Sequence, residues 1–274
     1  MTRIAVAQIR SSIRKDDNLK LALELIRDSK SRGASVIAFP EFLMAYSPPE
    51  QSAEELCAIA ETIDGPFVTA LRNIAKQSEI QIVATIYEKF ARPNRVYDTA
   101  LWIARSGETA AVYRKLHLYD ALGFRESDKF VAGSEWTPPV KADFGQAALM
   151  ICYDLRFPEL ARLLTLAGAD FLFVPSGWVQ GELKVEHWQI MNRARALENG
   201  SYVIAPDQVG NIYIGHSTVV DPFGRTLIDM RETEGIEIVD VDLAVVNQVR
   251  EKLPLLKNRR ADVYELKNLT TKNA

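Results

Sequence analysis

Residues 148–160 read ALMICYDLRFPEL, and the fold turns on how that stretch is parsed. An apolar run ends at Cys152 and a polar turn follows at once, which marks a short strand buried on both faces. Pro158 suits a first helical turn, and Glu159 to Ala167 continues a helical pattern. Cys152 therefore falls in a strand-to-helix elbow. Such an elbow presents a side chain at the top of a sheet, with backbone N–H groups nearby that can cradle an oxyanion. A cation beside the thiol would lower its pKa and make thiolate available. A lone cysteine on an apolar strand is more often a packed structural residue. Asp154 and Arg156 argue against that here, because a polar turn implies an accessible strand end.

Working outward, short runs rich in Val, Ile, Ala or aromatics recur at 3–9, 34–39, 80–86, 96–104, 109–113, 147–152, 170–175, 201–206, 217–221 and 235–241, and read as strands. Leu19, Ala22, Leu23 and Ile26 have helical spacing, with Asp16 or Asp17 as cap and Gly33 as stop. Trp188, Met191, Ala194 and Leu197 mark a second helical face. Turn signals at 105–108, 144–146 and 221–224 add hairpins to the helical crossovers. The expected fold is a layered α/β domain with mixed sheets. One domain over residues 1–274 is the simpler reading, with a polar tail at about 265–274 that is loose or docks.

The chain's 274 residues carry a net charge of −3 with no basic stripe, so neither nucleic acid nor an anionic membrane surface is indicated. No apolar run approaches the roughly 18 residues of a membrane helix, and the N-terminus lacks a signal-peptide pattern. Nothing marks the two cysteines, Cys57 and Cys152, as a disulfide framework, and they are too few for a cysteine-based zinc site. A reduced, cytoplasmic setting is the expectation.

Two further segments carry candidate chemistry. In AFPEFLMAYSP (38–48), Glu41 follows the carboxyl end of a strand, where α/β proteins place ligands. The same pattern fits a solvated loop glutamate. In VYRKLHLYD (112–120), Tyr113, Leu116, Leu118 and Tyr119 are apolar company for Lys115, so its ammonium could be a fixed charge in a partly dry site. A surface lysine with a snorkelling stem fits as well, and Arg114 is the other candidate for the surface. Cys57 lies on an amphipathic helical stretch and reads as packing or surface. A Cys–His enzyme would need His117, His187 or His216 beside Cys152, and a three-His metal site is weak because no HxxxH or HExxH pair exists.

Together with AVAQI (5–9), AFPE (38–41), YRKLHL (113–118), PSGW (175–178), HWQIMNRARALENGSYV (187–203), GHSTVVDPFG (215–224) and RRADVY (259–264), the elbow resembles the nitrilase-like carbon–nitrogen hydrolase superfamily. The resemblance implies an αββα sandwich that assembles into homodimers or larger homo-oligomers. It also implies a triad of Glu41, Lys115 and Cys152, with Glu126 in FRES as a further acid of the site. In that scheme Glu41 takes the thiol proton, and Lys115 with the Tyr153 N–H holds the oxyanion. Ammonia leaves with the proton from Glu41, and water then cleaves the thioester. No metal or cofactor is required. CYDLRFPEL and GHSTVVDPFG look most like the Nit branch, which includes omega-amidases and amidases acting on deaminated glutathione. The expected partner is thus a small amide whose carboxylate wants a cation. Arg156 is one candidate for that cation, or is tied to Asp154 or Glu159. Tyr46, Phe124 and Trp178 either line the pocket or are plain core. The same triad would also serve an N-carbamoyl amine hydrolase or a nitrilase; a catalytically silent binding protein is the alternative that the presence of all three triad residues disfavours.

Overall fold

A computed structural model of the protein describes residues 1–91 and 94–263; the expected tail at 265–274, and Tyr264 of RRADVY, lie outside the described residues. The chain order is β1 (Thr2–Gln8), α1 (Lys15–Ser31), β2 (Val36–Ala38), α2 (Ala53–Ile59), α3 (Pro66–Ser78), β3 (Gln81–Lys89), β4 (Val96–Ile103) and β5 (Thr109–Arg114). Next come β6 (Val140–Ala142), β7 (Gly145–Leu149), α4 (Pro158–Leu166), β8 (Phe171–Phe173), α5 (Lys184–Asn199) and β9 (Tyr202–Ala205). The chain closes with β10 (Val209–Gly210), β11 (Tyr213–Ile214), β12 (Thr218–Val220), β13 (Thr226–Asp229), β14 (Gly235–Val241) and α6 (Leu243–Lys252).

The described strands form two six-stranded mixed sheets, ordered β14-β1-β2-β3-β4-β5 and β13-β12-β9-β8-β7-β6, plus the small β10-β11 pair. Parallel pairing joins β1 to β2, β2 to β3, β7 to β8 and β8 to β9, while the other pairs in the two large sheets are antiparallel. Alternation along β1 explains the layering. Ile4 and Val6 point into a core shared with Phe171 and Phe173 of the second sheet, whereas Ala5 and Ala7 point into a core shared with Ile26 of α1 and Leu71 of α3. Trp102 of β4 meets Phe173 edge-on at 5.0 Å between ring centroids, directly across the sheet interface. Leu160 and Leu164 of α4 and Trp188 of α5 cover the second sheet from outside. The result is the four-layer αββα sandwich.

Some local expectations need correction. α1 starts at Lys15 with Arg14 at the cap position and no side-chain cap; Asp16 and Asp17 sit inside the first turn, where they complement the helix dipole. The buried line of α5 is Trp188, Asn192, Arg195, Ala196 and Asn199, while Leu197 is 43% exposed. A series spaced strictly by three drifts about 60° per step around a helix of 3.6 residues per turn, so it cannot stay on one face. The polar residues on the buried line are tolerated because Asn192 and Asn199 donate to the carbonyls of Trp188 and Arg195, each at 2.9 Å. Also on α5, Arg195 pairs with Glu198 at 3.0 Å, and Arg193 donates to the Gly224 carbonyl. β6 and β13 escaped the pattern reading, the first being only three residues long and the second mostly exposed.

Candidate active site

Glu41 lies three residues beyond β2, in a segment pinned to its neighbours. Thr85 Oγ1 donates to the Pro40 carbonyl at 3.1 Å, and Gln208 Nε2 donates to the Glu41 carbonyl at 2.8 Å. The side chain is 1% exposed, so the solvated-loop reading of Glu41 fails. Lys115 follows β5 directly. Its N–H donates to the Asp98 carbonyl at 2.9 Å, which swings the ammonium inward, whereas Arg114 turns outward into a two-pronged pair with Glu88 at 2.7 and 2.6 Å.

The Lys115 ammonium donates to Glu41 Oε1 at 2.8 Å and to Glu126 at 2.9 Å. Each carboxylate is completed by one backbone amide: Gly177 N–H donates to Glu41 Oε2 and Tyr119 N–H to Glu126 Oε2, both at 2.7 Å. Acidic rather than apolar company thus surrounds Lys115. Burial alone would pull this ammonium down, but Glu126 and Glu41 outweigh it and hold the lysine well above its ordinary range. Burial chiefly pushes Glu126 up, with Lys115 opposing.

Cys152 opens the short 3-10 turn Cys152–Arg156 with φ +41°, a left-handed conformation that costs a non-glycine residue about 1–3 kcal/mol. Its N–H donates to the Pro175 carbonyl at 2.9 Å. The elbow is held from beneath by Asp154. That carboxylate receives Tyr113 O–H at 2.6 Å, Ile151 N–H at 2.9 Å, His117 N–H at 3.1 Å and contacts His117 Nδ1 at 2.7 Å. Asp154 is therefore fully buried, not the mark of an open strand end. Cys152, which is 8% exposed, lines one cavity with Glu126 and with Gly177, whose N–H holds Glu41, and Lys115 bridges the two acids, so the three distant segments converge. Burial pushes the thiol well above its ordinary value, Glu41 adds to this, and Lys115 offsets part of it. The expected thiolate-favouring environment is thus not found, because burial first, and then the acids beside the single cation, outweigh Lys115.

A cavity of about 530 Å³ opens over Cys152, walled by Phe42, Tyr213 and Trp178 and reached by Arg156 and Lys184. Phe124 also lines it, stacked on Tyr119 at 5.5 Å. Tyr46 does not line it; that ring packs edge-on against Tyr213 at 6.0 Å. Arg156 is tied to neither Asp154 nor Glu159. Its guanidinium lies 4.6 Å from the Trp178 ring centroid, and no carboxylate partner is found for it among the described residues. Lys184, missed in the sequence because it simply opens α5, is buried with its ammonium on Tyr119 Oη at 2.8 Å and 5.7 Å from the same Trp178 ring. The Tyr153 N–H donates to no acceptor among the described residues. None of the three histidines lines the cavity: His117 is stacked on Phe157 and His216 contacts Asp229. Cys57 sits on α2, part-buried, and does not line this cavity. No group of His, Cys, Asp and Glu among the described residues is arranged to hold a metal ion.

Residues 3–251 match the carbon–nitrogen hydrolase family. The chain is 35% identical over 245 residues to the deaminated glutathione amidase of Escherichia coli O157:H7, covering 89% of this chain and 92% of that one. It is 33% identical to the rat (Rattus norvegicus) deaminated glutathione amidase, covering 95% and 83%. Among solved structures, the C. elegans NitFhit protein superposes with a TM-score of 0.90 at 31% identity, covering 96% of this chain and 66% of that one. A mutant amidase from Nesterenkonia sp. AN1, bearing acrylamide added to its active-site cysteine, superposes with a TM-score of 0.79 at 27% identity, covering 96% and 98%.

Proposed function

This chain belongs to the carbon–nitrogen hydrolase family and is a hydrolase of non-peptide carbon–nitrogen bonds, and from that premise we propose that it cleaves a small, carboxylate-bearing amide through a thioester on Cys152. The observation that carries the reading is the Lys115 ammonium bridging Glu41 and Glu126 beside the Cys152 thiol.

Because the thiol rests protonated, its proton must leave as the sulfur attacks, and Glu41 is the acceptor. An ammonium has three donors. Glu41 and Glu126 take two, leaving the third for the oxyanion, together with the Tyr153 N–H, which has no acceptor among the described residues. The tetrahedral intermediate collapses as Glu41 returns the proton to the leaving nitrogen. Glu41 then deprotonates water, the water attacks the thioester carbonyl, and the acid departs as the thiol is restored. Glu126 keeps the ammonium in place. One domain carries the whole site, since both sheets share the core beneath it.

Substrate class follows from two cations that have no carboxylate partner among the described residues. Arg156 and Lys184 flank one indole in a partly dry cavity, and a charge in such a place calls for a counter-charge. Amides of dicarboxylic or peptide-like acids supply it, and the deaminated glutathione for which the relatives are named belongs to that class. A reducing compartment such as the cytoplasm would keep Cys152 reduced. Exposed Leu163 and Leu166 on α4 and Ile190 and Leu197 on α5 support a homo-oligomer.

A substrate panel tests this. Release of ammonia or amine from carboxylate-bearing amides should exceed that from matched neutral amides, N-carbamoyl amines and nitriles by about tenfold or more in kcat/KM. Equal or faster turnover of the neutral amides or of nitriles would contradict it.

A further inference from the structure

Behind Glu41 and Lys115 stands a third acid. Asp98 lies on β4 opposite Tyr87 of β3, and its side chain is 3% exposed. Glu41 and Glu126 each receive one backbone N–H and one ammonium N–H. Asp98 receives neither: the Lys115 ammonium is 3.9 Å away, and no donor among the described residues reaches either carboxyl oxygen. The neighbouring Tyr87 hydroxyl is already committed to the Ala45 carbonyl at 2.6 Å.

Asp98 and Glu41 face the same Lys115 ammonium, at 3.9 and 2.8 Å, with all three side chains buried, so the carboxylate adjoining Asp98 is that of Glu41, another acceptor. Two adjoining buried carboxylates cannot both be ionised at little cost. One proton resolves the conflict, because it turns one acceptor into a donor. Glu41 already has two donors to stabilise its charge and Asp98 has none, so the proton belongs on Asp98.

We propose that Asp98 is a positioning residue of the site, protonated at rest, whose carboxyl O–H donates to Glu41 and keeps that carboxylate aimed at the Cys152 thiol. Burial first, then the charge of Glu41, pushes the Asp98 carboxyl well above the usual carboxylate range; Lys115 opposes this, and Glu126 adds to it. With Asp98 neutral, Lys115 faces two anions instead of three.

The inference rests on Glu41 being the base, and its first test does not depend on turnover. The difference infrared spectrum of the resting enzyme, wild type minus Asp98→Asn, near neutral pH should contain the carbonyl band of one protonated carboxyl. Carboxylate bands in its place would overturn the proposal even if Glu41 proves to be the base. In kinetics, Asp98→Leu offers no donor and should lower kcat by about tenfold or more at nearly constant KM, with the acid limb of kcat/KM moved to higher pH. Asp98→Asn, whose amide N–H can stand where the O–H stood, should recover activity to within about threefold of wild type and restore the acid limb. Equal loss in both variants, or no loss in Asp98→Leu, would overturn the role. Full turnover in Glu41→Gln would instead remove the reading of Glu41 on which it rests.

Discussion

The Cys152 thiol is harder to ionise than a free cysteine, since burial and the Glu41 carboxylate both oppose a second negative charge there. Two opposite responses follow. In Glu41→Gln the repelling charge is gone, so thiolate should form at lower pH than in the wild type, although turnover falls about a hundred- to ten-thousand-fold. In Lys115→Met the stabilising cation is gone, so thiolate should form at still higher pH. Ultraviolet thiolate absorbance across a pH titration reads both, and a shift in the other direction in either variant would contradict the geometry. At the cavity wall, Arg156→Leu and Lys184→Met should each raise KM for a carboxylate-bearing amide about tenfold while barely changing that for a neutral amide. The same KM change for both substrates would mean a packing role only. Glu41, Lys115 and Cys152 were legible because each stands at or just past the end of an apolar run, inside a motif. Lys184 and Asp98 were not, since one reads as the first residue of a helix and the other as a polar residue within a strand. Their meaning comes from what other segments place beside them.

The elbow and the PSGW turn are the elements that set the geometry. Asp154 collects donors from Tyr113, Ile151 and His117, so it locks the 3-10 turn that carries Cys152 to the end of β5 and its following loop. Tyr113→Phe removes the 2.6 Å bond and leaves a buried carboxylate short of one donor. Urea unfolding should show a loss of about 1–3 kcal/mol, and an unchanged midpoint would contradict the role. Gly177 approaches its neighbours so closely that a Cβ there would stand 2.9 Å from the Phe42 and Tyr213 rings. Gly177→Ala should therefore draw the Gly177 amide away from Glu41 and cut kcat by about tenfold or more in a folded protein. Wild-type kcat would show that the amide is dispensable. Strand positions were readable from composition, as was the Pro158 start of α4. The buried face of α5 was not, because Asn192, Arg195 and Asn199 are polar residues, whose side-chain N–H groups donate to the helix's own carbonyls or, for Arg195, to the Leu155 carbonyl.

For the molecule as a whole, several groups require protons in the folded state. Burial holds Cys152, Tyr87, Tyr113 and Tyr213 well above their ordinary values, and acidic neighbours hold Lys115 above its own. For each of them the unfolded chain loses its proton first. Their stabilisation is complete below the unfolded values and is lost as pH rises through the window above them, beginning at about pH 8.5–10.5. Each fully engaged group contributes about 1.4 kcal/mol per pH unit, so unfolding free energy should fall with a slope of more than one proton in that window. A flat profile to pH about 11 would show that these groups are not buried as described. The layered α/β class could be read from the alternation of short strands and helices, while the two-sheet sandwich came from the resemblance alone, since face-to-face packing depends on contacts such as Trp102 with Phe173. Exposed leucines on α4 and α5 predict a dimer or larger assembly by light scattering, weakened by Leu163→Glu with Leu197→Glu; a wild-type monomer at micromolar concentration would contradict this.

The convergence of Glu41, Lys115 and Cys152 is tested most directly by mass spectrometry of enzyme quenched during turnover of a carboxylate-bearing amide. The acyl half of the substrate should be found on the peptide containing Cys152 and not on that containing Cys57, and both adduct and turnover should vanish in Cys152→Ala. An adduct confined to Cys57, or turnover that survives Cys152→Ala, would contradict the account.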